Sequence, residues 1–404
     1  MTTTTRAVRS DRLNALPPYL FVDIDRKRRA RIAAGADVIN LGVGDPDRPT
    51  PNFIIESMSR AMHEPWTHQY APSEGTKRFR HAAARFMERR FGVKADPDKH
   101  IISCIGSKEG IGHLPLALLN QGDAVLVPEV AYPVYVSGAV FAGAGVVYVP
   151  TGAATKWRPD FESISPRDAE RARLLWINFP NNPTAACVGV DYFADVISFA
   201  ERHGIVIGSD LAYSELYFER APVSIWQSPA ADLNKTLAVE FHSLSKTFNM
   251  TGWRIGFAVG HPEVVSALNA VKGNYDSGAF AAIQEAGAEA MDNYEHKDVA
   301  GMRDVYRERR DTIIPALQAM GCEVRPPEAG FFVWARCPQG KASNGGSGPV
   351  ESMAFASRCL EEADVVVVPG AGFGQSAKHF FRIALTVEAP RLKVAGQRLA
   401  KMAW

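Results

Sequence analysis

The stretch "TLAVEFHSLSKTFNMTGWRIGFAVG", Thr236 to Gly260, sets two short apolar runs on either side of a polar loop. Both "TLAVEF" and "RIGFAVG" are apolar at nearly every position, the pattern of strands covered on both faces by helices. Four similar runs come earlier: "AVLVPE" near Val125, "VVYVP" near Val147, "LLWINFP" near Trp176 and "IVIGSD" near Ile207. Helix-like stretches separate them. The alternation predicts an α/β fold with a mainly parallel sheet flanked by helices. In such open sheets ligands sit beyond the carboxyl ends of the strands, so polar residues there are the first candidates for chemistry.

At 404 residues the chain exceeds the size of a single core, and two domains are expected. The C-terminal third changes pattern. A long helical stretch, "KDVAGMRDVYRERRDTIIPALQAMG", precedes "CEVRPPEAGFFVWARC", a helix near Met353, then "DVVVVPG" and "HFFRIALTV". This predicts a smaller α+β domain over residues 296–404, which residues 1–48 join as an arm, and a large domain over 49–295. "GKASNGGSG", Gly340 to Gly348, reads as a flexible surface loop. The net charge of +1 offers no field for nucleic acid, and "RKRRAR" at Arg26 to Arg31 reads as a solvated helix face. No apolar run reaches the roughly 18 to 20 residues that span a bilayer. The N-terminus lacks the apolar region of a secretory signal, so a cytoplasmic location is expected. The five cysteines have no C-x-x-C spacing; buried thiols are expected, with no disulfide framework and no metal site.

Strand ends supply the candidate residues. Gly106, Ser107 and Lys108 open a helical segment whose unpaired N–H groups suit an anion, though any helix must start somewhere. Tyr132 follows "AVLVPE" and could stack on a planar ligand or simply pack. Asn182, in "NNPT", follows "LLWINFP"; a plain turn is the alternative. Asp210 ends an apolar strand, where burial calls for a partner or a helix N-terminus to cap, and Tyr213 lies three residues on. Ser243, Ser245 and Lys246 leave "TLAVEF", and Arg254 opens the next strand. Together these are anion donors for a phosphate, an aromatic face, a carboxylate for a ring cation, a phenol and amide for a ring oxygen, and an amine for an aldehyde. Pyridoxal 5′-phosphate carries all of those groups.

These motifs, with "YAPSEG" (Tyr70 to Gly75), "SDLAY" (Ser209 to Tyr213) and "FFRIALT" (Phe380 to Thr386), resemble the fold type I PLP-dependent aminotransferases of class I and II from about Tyr19 onward. One departure is Ala185, where that family usually has glycine. The resemblance implies roles. Lys246 would join the cofactor aldehyde and later move a proton; Asp210 would keep the pyridine nitrogen protonated. Tyr213 and Asn182 would meet the ring oxygen, and Tyr132 would stack on the ring. Gly106, Ser107, Lys108, Ser243 and Arg254 would hold the phosphate, with Tyr70 reaching it from a neighbouring subunit of a homodimer with shared active sites. Arg382 would grip the α-carboxylate of amino-acid and 2-oxo-acid substrates, beside Asn182 and Gly44.

"PPYLFVDIDRKRR", "VINLGVGDPDRPTP" and "KGNYDSGAFAAIQEA" are similar to the LL-diaminopimelate aminotransferases within that family. That implies transamination between LL-2,6-diaminopimelate and 2-oxoglutarate, with Tyr19 and Glu74 holding the distal end of the substrate. A helix-capping role for Glu74 stands beside it. Aminotransferases for aspartate, alanine or aromatic substrates, and PLP lyases, remain alternatives.

Overall fold

The computed structural model describes residues 8–16, 22–341 and 347–404. Tyr19 lies outside them. Seven strands form the central sheet: β1 (Ile101–Cys104), β2 (Ala124–Pro128), β3 (Gly145–Val149), β4 (Ala172–Asn178), β5 (Val206–Asp210), β6 (Ala238–Ser243) and β7 (Gly256–Gly260). Their order is β1-β7-β6-β5-β4-β2-β3; β7 is antiparallel to both neighbours and every other pair is parallel. The expected mainly parallel sheet is present, with "RIGFAVG" as its one reversed strand.

The period-2 alternation of a strand divides its apolar residues between two faces. Leu126, Leu175, Ile177 and Ile207 pack into one core with Phe257 and Val259. Their neighbours Val125, Val127, Leu174, Trp176, Val239 and Phe241 pack into another. Both faces are therefore dry, which accounts for the unbroken apolar runs. Trp176 is fully buried and lies so close to Gly208 that a Cβ there would come within 2.5 Å of its ring. Truncating Trp176 or Phe241 to alanine would cost about 3–5 kcal/mol. Register aligns the working ends: Asn178 pairs with Asp210, and Asp210 with Phe241, two residues before Ser243.

A second, antiparallel sheet joins β8 (Glu323–Val324), β9 (Phe332–Arg336), β10 (Val368–Pro369) and β11 (Phe380–Ala384) in the order β10-β11-β9-β8. "DVVVVPG" is not one strand. Val365–Val366 runs parallel to Ile39–Asn40, while Val368–Pro369 pairs with β11, so the chain changes partner within three residues. The N-terminal segment thus docks on C-terminal elements. Helix Val22–Ala33 reinforces this: Lys27 pairs with Glu361 at 2.8 Å and Arg31 with Asp364 at 2.7 Å. "RKRRAR" is therefore partly a docking face rather than a purely solvated one. The ends of "GKASNGGSG" form a short antiparallel pair, Gln339–Lys341 with Ser347–Pro349; the residues between lie outside those described. All five cysteines are free thiols, and four are buried. No helix among the described residues is long and apolar enough to cross a membrane.

Candidate active site

Beyond the carboxyl ends of β4, β5 and β6 lies a cavity of about 340 Å³. Gly44, Ser107, Lys108, Tyr132, Asn182, Asp210, Tyr213, Ser243, Lys246, Arg254 and Arg382 all line it, drawn from segments more than 300 residues apart in sequence. A wider hollow of about 1180 Å³ adjoins it, sharing Lys108, Tyr132, Asn182, Arg254 and Arg382.

One end of the cavity is built for an anion. Helix Ser107–Leu118 starts behind Gly106, whose φ of 73° favours glycine. A Cβ on Gly106 would lie 2.1 Å from Nη2 of Arg254, so the missing side chain makes room for the guanidinium. Arg254 does not open a strand, as the sequence suggested. It ends the turn Thr251–Trp253 with a left-handed φ of 57°, and its Nη1 donates to the Thr251 carbonyl at 2.8 Å. That bend turns the guanidinium back toward the helix N-terminus beside Ser243 and Ser245.

The floor holds a buried carboxylate. Tyr135 donates its hydroxyl to Oδ2 of Asp210 at 2.8 Å, while Oδ1 is buried and has no partner among the described residues. Burial raises the Asp210 pKa to about 6, against the lowering effects of the Tyr135 hydroxyl and the Ala212 N–H. Tyr135 itself stacks on Trp176, 4.9 Å between ring centroids. Asp210 is therefore an acid held open toward the cavity, not a helix cap.

Opposite it, Lys246 donates to the Gly44 carbonyl at 2.8 Å and sits 5.5 Å from the Phe331 ring centroid. Burial lowers its pKa to about 8; Asp45 opposes this, and Arg254 and Arg382 add to it. Arg382 donates to Oδ1 of Asn182 at 2.7 Å and to the Gly42 carbonyl at 2.9 Å, lying over the Phe332 ring at 4.3 Å. Asn182 is fixed by Asn178, which accepts from its backbone N–H at 2.8 Å and donates to the Asp210 carbonyl at 2.7 Å. Tyr213 is buried edge-on to Phe331 and Phe332, and burial pushes its phenol pKa up.

Two expected residues sit elsewhere in this chain. Tyr70 is 92% exposed and lines a separate surface hollow with His68, Ser277 and Phe280. Glu74 is half-buried beside Ser73, its carbonyl accepting from the Ser103 N–H at 2.9 Å. Residues the sequence reading passed over include Tyr135, Asn178, Asp45 and Phe332. "YPVY" brings Tyr135, in the first turn of helix Val134–Ala142, within 6.0 Å of the Tyr132 ring that precedes that helix. Glu109, His113 and Asp276 could converge on a cation, but the Lys272 ammonium already lies 3.0 Å from Glu109 and 3.2 Å from Asp276.

The donor set fits a phosphorylated pyridine aldehyde: anion donors at one end, a buried carboxylate with one oxygen unpartnered below, an amine of lowered pKa across from it. Comparison with known proteins agrees. Residues 36–399 match the model of the class I and II aminotransferases. The chain belongs to that family. Over 394 residues this aminotransferase is 45% identical to an LL-diaminopimelate aminotransferase from Aquifex aeolicus, covering 97% of this chain and 98% of that one. Substrate-bound BacF from Bacillus subtilis superposes with a TM-score of 0.89 at 32% identity, covering 98% of each chain. A mutant aspartate aminotransferase from Thermus thermophilus gives 0.87 at 29% identity, covering 98% of this chain and 100% of that one.

Proposed function

We propose that this aminotransferase uses pyridoxal 5′-phosphate to move an amino group between LL-2,6-diaminopimelate and 2-oxoglutarate, the reverse direction consuming tetrahydrodipicolinate and glutamate. The observation that carries the chemistry is the convergence of Lys246, Arg382 and the unpartnered Asp210 oxygen on one cavity. The substrate rests on near-full-length similarity to enzymes of that name. When bound, the cofactor supplies an aldehyde and a ring that withdraws electrons from the substrate Cα.

This chain's residues do the rest. Ser107, Lys108, Ser243 and Arg254 would hold the phosphate, over the small Gly106. Asp210, held by the Tyr135 hydroxyl, would be the partner for the ring nitrogen, with Tyr132 as the aromatic wall and Tyr213 and Asn182 as the donors for the ring oxygen. With a pKa of about 8, the Lys246 amine is about one-tenth unprotonated at pH 7, against about 0.1% or less for an ordinary lysine. Lys246 would be the base placed to take the substrate Cα proton. Arg382 orients the α-carboxylate, and Phe331 and Phe332 keep water from that side.

We place the active sites at the interface of a homodimer. An exposed Tyr70 beside Ser277, with Tyr275 69% exposed, supports a partner subunit covering this face and bringing Tyr70 and Glu74 to the other site. Residues 49–295 would form the cofactor domain, and 1–48 with 296–404 the smaller one. Free thiols suit a reducing cytoplasm. Similarity to an aspartate aminotransferase keeps a second reading, a different amino-acid specificity. Purified enzyme assayed with LL-diaminopimelate, aspartate and alanine against 2-oxoglutarate decides between them. Preference for LL-diaminopimelate supports the first; preference for aspartate or alanine overturns it.

A further inference from the structure

Segment 41–47 gives Gly44 and Asp45 to the lining of the cavity, and three of its carbonyls accept from side chains. Gly42 accepts from Arg382 at 2.9 Å, Val43 from the Thr386 hydroxyl at 2.6 Å, and Gly44 from Lys246 at 2.8 Å. Nothing packs over its outer side at Val43, which is 52% exposed. Beyond Leu41, which is buried and bonded to the backbone of Val366 and Ala384, its position depends on bonds from these side chains. Two of those bonds come from Lys246, the amine assigned to the cofactor, and Arg382, the group a substrate carboxylate engages. When both are so engaged, the segment gives up two of its anchors.

The Thr386 bond to Val43 and the backbone bonds of Leu41 with Val366 and Ala384 still hold the near end, and an ion pair holds the far one. Arg309, from helix Lys297–Ala319, is 1% exposed and does not line the cavity. Its guanidinium makes a bidentate pair with Asp47, 2.7 Å to each oxygen, and its Nη1 also donates to the Leu385 carbonyl at 2.9 Å. Leu385 follows β11, which carries Arg382. One buried cation therefore ties together the segment bearing Gly44 and the strand bearing Arg382. The planar fork suits this double duty, and a lysine could not reproduce it.

We propose that Arg309 is a positioning residue for substrate: through Asp47 and Leu385 it fixes the Gly42–Gly44 carbonyls relative to Arg382 while substrate is bound. The inference rests on the transaminase reading above. Phosphate and ring contacts are left alone, because neither Arg309 nor Asp47 touches the Arg254 end of the cavity.

The test combines Arg309→Lys and Asp47→Asn. Both variants are expected to raise KM for the amino donor and for the oxo acid about tenfold or more, as an ångström-scale misplacement does, with kcat within about threefold. Cofactor affinity, followed by visible absorbance, stays at the wild-type value. In cofactor-free protein, hydrogen exchange quickens in peptides covering 41–47 and 382–388 and not in those covering 101–110 or 238–254. An unchanged KM, exchange that rises uniformly, or cofactor affinity falling in step with KM overturns the proposal and leaves Arg309 a structural ion pair. If Arg309→Lys does not fold, Asp47→Asn decides, because Asp47 sits at the more exposed end of the pair. Wild-type protein inactive on every amino acid would instead sink the transaminase reading, while the exchange experiment would still judge the clamp.

Discussion

Replacing Asp210 with asparagine should strengthen the empty protein while crippling the enzyme. The carboxyl is buried, and its pKa stands at about 6 in the folded chain against an ordinary 3.8. Burial is the main cause. Above about pH 6 both the folded and unfolded chains carry the ionised group, and folding bears the whole cost of holding a charge in a dry place. Between about 6 and 3.8 the folded form takes up a proton first and the cost fades; below 3.8 it is gone. The gap corresponds to about 3 kcal/mol at neutral pH. An amide has no charge to bury and can still accept from the Tyr135 hydroxyl. Asp210→Asn is therefore expected to raise the unfolding free energy of cofactor-free protein by about 1–3 kcal/mol at pH 8. About half of that gain should remain at pH 5. Urea titrations at the two pH values measure it. With the cofactor added, the same variant should lose activity by a factor of about 100 or more, because a developing ring charge has lost its counter-ion. A variant no more stable than wild type at pH 8, or a difference independent of pH, would refute the reasoning.

Gly106→Ala would place a methyl 2.1 Å from Arg254 at a φ of 73°, so cofactor retention through gel filtration should be lost while the fold, read by circular dichroism, survives. The Lys246 amine in cofactor-free protein should react with a simple aldehyde with a pH midpoint near 8 instead of above 10, measured by peptide mass after reduction. Tyr135→Phe removes a donor to Asp210 and should raise that carboxyl's pKa further, weakening cofactor binding about threefold to tenfold in an absorbance titration.

Much of the site was legible because the fold brings strand ends together. Asp210, Ser243 and Lys246 each follow an apolar run directly, and the register that sets Asn178 opposite Asp210 brings them to one edge. Side chains that act through another were harder to see. Tyr135 lies on a helix, where a tyrosine reads as packing, and only its contact with Asp210 shows otherwise. The pair of Arg309 and Asp47 spans 262 residues, with no local pattern to announce it. Arg254 was misplaced by one structural feature, the left-handed bend before β7, because hydropathy carries no sign of φ. "DVVVVPG" divided between two partners for a similar reason: four valines suit either neighbour, and pairing is decided by the tertiary context. Tyr70 is exposed and Glu74 half-buried away from the cavity, and neither shows a cavity contact within this chain that hydropathy could have announced.

The central claim is that Lys246 is the amine that takes the cofactor. Purified protein loaded with pyridoxal 5′-phosphate, reduced with borohydride and digested, gives the answer by peptide mass. The account expects the pyridoxyl mass on the peptide containing Lys246 and on no other. The same label on Lys108, Lys272 or a surface lysine, with Lys246 unmodified, would contradict it.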